Sequence, residues 1–185
     1  MVVAAGRRHA QPMATDNKTA ARHVPPTTTD EAPLHRPAGT GATYLGPGDV
    51  YRFLVTGAET GGAYFAMEAL VAPGGGPPPH IHRYEDETFY ILEGECRLLL
   101  ADEWITAGVG DFINVPRGTV HRFHNQSSET MRMILTFTPA GIENFFQETL
   151  EPTRDPTADI PDNLDAVAAR YAAAAPRHGI EFLTE

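Results

Sequence analysis

His80 and His82 stand two residues apart in the segment GGGPPPHIHRYEDETFYILEGE. On an extended strand, residues i and i+2 project from one face, so both imidazoles can reach a single point in space. The preceding Pro77-Pro78-Pro79 stiffens the approach and lowers the conformational entropy lost when the pair is fixed. Glu87 follows on a further strand, with Phe89 and Ile91 on its own face, and His121 lies far downstream beside a Pro116-Arg117-Gly118 turn. Three imidazoles and one carboxylate are a borderline set of donors. They suit Fe, Mn, Ni, Co, Cu or Zn and are too rich in nitrogen for Mg or Ca. Four protein donors leave room on a five- or six-coordinate ion for substrate, water or dioxygen. A structural zinc site would leave none and usually uses cysteines.

Neighbouring residues have plainer readings. Glu85 and Asp86 compete with Glu87 as the carboxylate; Glu85 reads as solvated, and Asp86 is the rival at one residue's shorter spacing. His124 faces the opposite side of its strand from His121, and Asn125 reads as a turn residue. Phe89 and Phe123 alternate in phase with Glu87 and His121 and so point inward. With Met133 they are expected to pack the core, to line an apolar substrate pocket over the metal, or both. Cys96 reads as a small buried hydrophobe. His9, His23 and His35 fall in the N-terminal tail, and His178 reads as exposed.

The elements that must hold the cluster are short strands. Tyr51–Val55 and Ala63–Val71 precede the PGGGPPP segment. Beyond it come Thr88–Leu92, Cys96–Ala101, Trp104–Thr106, Phe112–Val115, Val120–His124 and Met131–Thr138, punctuated by glycine turns. Such spacing with no helical period indicates an all-β sandwich or barrel, here over residues 41–139. Residues 1–40 carry five prolines and no apolar period, so they read as a disordered or extended tail in which Met13 is an alternative start. Residues 140–185 read as a helical extension packed on the barrel. Ile142, Phe145, Phe146 and Leu150 share one helical face, and a second helix capped by Asp162 or Asn163 places Leu164, Val167, Ala168 and Tyr171 together.

Two stretches resemble the motifs of the cupin superfamily. Gly74, His80, His82, Glu87 and Gly94 match its first motif at every position, and Gly110, Pro116, Gly118, His121 and Asn125 match its second. The step from Glu87 to Gly94 favours Glu87 over its neighbours as the carboxylate. The resemblance implies the cupin double-stranded β-helix, a jelly-roll barrel with short C-terminal helices. It also implies His80, His82, Glu87 and His121 as ligands of one divalent transition metal, and a homodimer. The flanking PAGIENFFQETLEP and RHGIEFL are similar to bacterial quercetin-dioxygenase-like cupins. That likeness implies a dioxygenase with Glu87 as proton acceptor, acting on a small aromatic, enolic or polyketide-like molecule. Metal-dependent isomerisation, cyclisation or lyase chemistry without dioxygen is the alternative, and a non-catalytic binding cupin a third. Thiol dioxygenases normally lack the carboxylate, oxalate decarboxylases need two barrels, germin-like oxidases need disulfides, and sugar epimerases lack the full ligand set.

Charge and composition set the remaining bounds. The chain has 185 residues, 42% of them apolar, and a net charge of −10. Its one lysine, Lys18, lies in the tail. A strongly acidic body repels nucleic-acid phosphate and anionic lipid, so neither nucleic acid nor membrane is expected as a partner. A single cysteine excludes an intramolecular disulfide. No apolar run is long enough to span a bilayer, and the N-terminus does not read as a signal peptide, so a cytoplasmic protein is expected.

Overall fold

The computed structural model describes residues 32–154 and 164–183. Most of the expected tail, residues 1–31, lies outside that range, as does the expected cap at Asp162 or Asn163. Residues 32–40 form no strand or helix, but Arg36 ties them down by donating to Leu54 O (3.0 Å) and Glu59 (2.7 Å).

Alternation of apolar and polar residues lets each strand bury one face. The strands are β1 (Thr43–Leu45), β2 (Asp49–Val55), β3 (Phe65–Val71), β4 (His80–His82), β5 (Asp86–Glu93) and β6 (Cys96–Leu100). There follow β7 (Glu103–Ala107), β8 (Phe112–Val115), β9 (His121–His124), β10 (Met131–Thr138), β11 (Glu151–Thr153) and β12 (Ile180–Phe182). One sheet has the order β11-β1-β2-β3-β10-β5-β8, the other β12-β4-β9-β6-β7, and the pairs within both are antiparallel. From β3 to β10 the chain passes back and forth between the two sheets, so their inner faces enclose one core. Met131, Met133, Leu135 and Phe137 of β10 meet Phe65 and Met67 of β3 and Phe89 and Ile91 of β5 there, each essentially inaccessible to water.

The C-terminal part contains α1 (Glu143–Thr149) and α2 (Leu164–Ala174). Ile142, Phe145, Phe146 and Leu150 are all buried, so the expected apolar face does pack inward. Ala168 departs from the expected α2 face, being exposed, whereas Val167 is buried. This region also supplies two strands that helical periodicity gave no sign of. β11 pairs with β1, and β12 pairs with β4, placing Phe182 opposite His80 and Ile180 opposite His82. The last strand therefore forms a wall beside the histidine pair.

Candidate metal centre

Three local devices hold the histidines. The PGGGPPP segment crosses β9 at van der Waals distance: a Cβ on Gly76 would lie 2.2 Å from Phe123 O, and its φ of 132° is one that glycine adopts without strain. The segment is then fastened through Asn125, since Gly74 N–H donates to Asn125 O (2.8 Å) and Asn125 N–H to Gly75 O (3.0 Å). The buried Asn125 amide also donates to Val71 O and Glu129 O, which locks the turn after β9. At the other end Gly118 N–H donates to His82 O (2.8 Å). The result puts His80 opposite His121 across β4 and β9. Glu87 arrives from β5 in the facing sheet.

His80, His82, Glu87 and His121 are all buried, and one ligating atom from each lies within 4.8 Å of every other. Donors on opposite sides of an ion at about 2.1 Å sit about 4.2 Å apart, so the cluster needs only a slight closure to share one ion. The donor chemistry fits as well. His80 donates its Nδ1–H to Pro78 O (3.0 Å), which leaves Nε2 as the free lone pair. His121 has acceptors on both ring nitrogens, Thr119 O at Nδ1 (2.9 Å) and Glu87 Oε2 at Nε2 (2.7 Å). His82 Nε2 lies 3.3 Å from the same carboxylate oxygen.

The electrostatics suit a cation. Burial, reinforced by His121 and His82, brings His80 down to about 3, so it stays neutral and able to ligate. Burial opposes ionisation of Glu87, but hydrogen bonds from His121 and His82 outweigh it and hold the carboxyl below its ordinary range. Burial likewise opposes the charge on His121, yet the Glu87 carboxylate raises it overall. A bound ion would take the place of that proton.

The rival carboxylates separate cleanly. Asp86 points outward and pairs with Arg117 (3.0 Å), so it is no ligand. Glu85 corrects the sequence reading: it is buried, at 4% exposure, because it lies in phase with Glu87 on the inward side. His124 turns away and hydrogen-bonds Gly75 O (3.1 Å), and His178 is largely covered against Glu148 (2.8 Å) rather than exposed. Cys96 is buried, and burial pushes its thiol up to about 12.

Beside the cluster lies a cavity of about 50 Å³, walled by Phe123 and Phe137 of the barrel and by Phe145, Tyr171, Ile180 and Phe182 of the C-terminal region. Phe123 thus meets the pocket. Phe89 and Met133 do not line it: both are fully buried in the core, Phe89 with its ring edge-on to His121 (6.4 Å between centroids). A larger cavity of about 400 Å³ lies outside it, lined by Pro47, Asp49, Gly76, Pro78, Ala168 and Ala172. Tyr51, Pro77, Tyr171 and Phe182 border both. Sequence reading missed these shared wall residues. The alternation of Ile180 and Phe182 was the one available signal for β12, but a three-residue strand carries too little pattern to place.

Comparison with known proteins agrees with the geometry. Residues 67–137 match the cupin domain family, whose span holds all four clustered residues. Residues 67–137 of this chain are a cupin domain. It is 30% identical over 115 residues to quercetin 2,3-dioxygenase of Bacillus subtilis (strain 168), covering 62% of this cupin and 34% of that enzyme. The cupin thus spans about a third of that relative's length. It is 28% identical over 131 residues to tetracenomycin polyketide synthase protein TcmJ of Streptomyces glaucescens, covering 70% of this chain and 82% of that one. In structure it resembles KdgF from Halomonas sp., with a TM-score of 0.53 at 18% identity over 61% of this chain and 98% of the other. That likeness establishes the fold.

Proposed function

We propose that this cupin is a metal-dependent dioxygenase acting on a small aromatic, enolic or polyketide-like molecule. The observation that carries the reading is a three-histidine, one-carboxylate cluster opening onto a cavity walled by aromatic rings. The resemblance to quercetin 2,3-dioxygenases supports the reaction type. A divalent transition ion held by His80, His82, Glu87 and His121 would supply Lewis acidity toward a substrate oxygen and leave positions free for further ligands.

The chain's own residues do the rest. The Glu87 carboxylate is the proton acceptor for the substrate hydroxyl or enol, held by β5 beside His121 and His82. The aromatic wall excludes water from the reacting edge. Size then decides where the substrate lies. An apolar cavity of about 150 Å³ holds benzene, so the inner space of about 50 Å³ admits only a reacting edge. The body of the substrate occupies the outer cavity of about 400 Å³, within the range of small-molecule sites. Phe123, which borders the inner cavity, is the substrate contact of the three; Phe89 packs edge-on against it (6.1 Å between centroids) and Met133 belongs to the core. A homodimer through an open sheet edge and a cytoplasmic location complete the proposal.

The test is dioxygen uptake by the metal-loaded protein across flavonols, diketones and phenols. Uptake matched to product, lost in Glu87→Gln with metal still bound, supports the reading. Retained turnover in that variant removes Glu87 as the base. The polyketide synthase relative, most of whose length is matched, favours a second reading: isomerisation, cyclisation or lyase chemistry without net oxidation. Product formation under strict anaerobiosis would select it.

A further inference from the structure

Each ligating imidazole needs its second ring nitrogen fixed, because the partner of Nδ1–H decides which nitrogen faces the ion and in what orientation. His80 and His121 use the carbonyls of Pro78 and Thr119. His82 is different: its Nδ1 is buried without a hydrogen-bond partner. A second buried atom near it is in the same condition, Glu85 Oε2. A buried donor and a buried carboxylate oxygen left apart are both costly, and each is the chemical complement of the other.

We propose that Glu85 is the positioning residue for His82, its carboxylate accepting the Nδ1–H and turning Nε2 toward the ion. The inference rests on the metal reading of the cluster. His82 and Glu85 flank the short turn between β4 and β5, and Glu85 is within electrostatic reach of His82. The other charged groups around Glu85 are committed. Arg117 donates to both oxygens of Asp86 and to Thr138 O. Glu143 carries the same charge, and its oxygens accept from Gly57 N–H (2.8 Å) and Gly141 N–H (2.7 Å). The Gly141 backbone lies beside Glu85, where an added Cβ would stand at an ordinary contact distance of 3.5 Å from Oε1, so this neighbour does not crowd the carboxylate. A turn about the Glu85 side-chain torsions, or one bridging water, joins the two groups.

The experiment is long-range ¹H–¹⁵N correlation of the imidazoles in the zinc-loaded full chain, together with zinc affinity by chelator competition. The expected wild-type spectrum shows a slowly exchanging Hδ1 on His82 as well as on His80 and His121. Glu85→Ala loses the His82 signal alone and weakens zinc binding by about 10- to 100-fold. Glu85→Gln, whose amide oxygen still accepts, retains the signal and most of the affinity. An unchanged His82 Hδ1 and unchanged affinity in Glu85→Ala overturn the proposal. If the alanine variant does not fold, the wild type decides, because a His82 Hδ1 exchanging as fast as free imidazole overturns it equally. Absence of zinc binding in the wild type would strike the metal reading instead, and the Hδ1 comparison in the metal-free chain would still test the contact.

Discussion

Replacing Asp49 by asparagine should make the protein's stability less dependent on pH, and the size of the effect follows from where Asp49 sits. The side chain is 2% exposed in the wall of the outer cavity, where Tyr51 donates its hydroxyl to Oδ2 (2.9 Å). Oδ1 has no hydrogen bond of normal geometry, and the Ala72 N–H beside it is already given to Gly48 O (3.2 Å). Burial pushes the carboxyl from its ordinary 3.8 up to about 7, against the lowering effect of the Tyr51 hydrogen bond. The facing hydroxyls of Tyr51 and Tyr171 are themselves pushed up by burial, so both stay neutral throughout. A carboxyl whose folded pKa is raised contributes stability that is complete below its unfolded pKa and lost as pH rises through the folded value. At about 1.4 kcal/mol per unit, roughly 3 kcal/mol of native-state stability disappears between pH 5 and pH 7, and no more above it. The substituted amide cannot ionise, and its side-chain oxygen can still accept from Tyr51. Urea unfolding of metal-free wild type and Asp49→Asn at pH 5 and pH 8 measures this, since every other titration cancels in the difference. The variant should gain on wild type by roughly 2 to 4 kcal/mol over that interval. A difference constant within about 0.5 kcal/mol would refute the claim that an uncompensated buried carboxyl lies here.

Other expectations follow from the same geometry. Ala172→Trp fills the outer cavity from α2 and should raise KM for an active substrate by about tenfold or more, with metal loading unchanged; an unaltered KM would move the substrate elsewhere. Phe137→Ala removes a fully buried ring that stacks on Phe65 (5.8 Å) and should cost about 3 to 5 kcal/mol in urea unfolding. Stripping the metal with a chelator should lower Tm, because at free ion about 1,000 times Kd binding adds about 4 kcal/mol to the folded state.

The barrel and the ligand cluster were both legible from sequence because each is written in local pattern. Strand alternation marked β5, β6, β9 and β10, and motif spacing singled out Glu87 from three consecutive acidic residues. What surrounds the metal was not legible. Glu85 reads as solvated by residue type, yet strand phase buries it beside His82. Phe89 and Phe123 share the inward phase, but only Phe123 reaches the cavity, because depth along the barrel axis is a tertiary property that alternation does not encode. Phe182 is brought to the cavity by the pairing of β12 with β4, and Tyr171 reaches it from α2. Three residues of strand at the end of a chain leave almost no periodic trace.

Metal content tests the central claim most directly. The full chain, loaded with Co²⁺ and freed of excess, should hold one ion per molecule, and the His80→Ala/His82→Ala double variant should hold none above background while keeping its β-rich circular dichroism. Wild type without a stoichiometric ion, or a double variant that loads as well as wild type, would contradict the account.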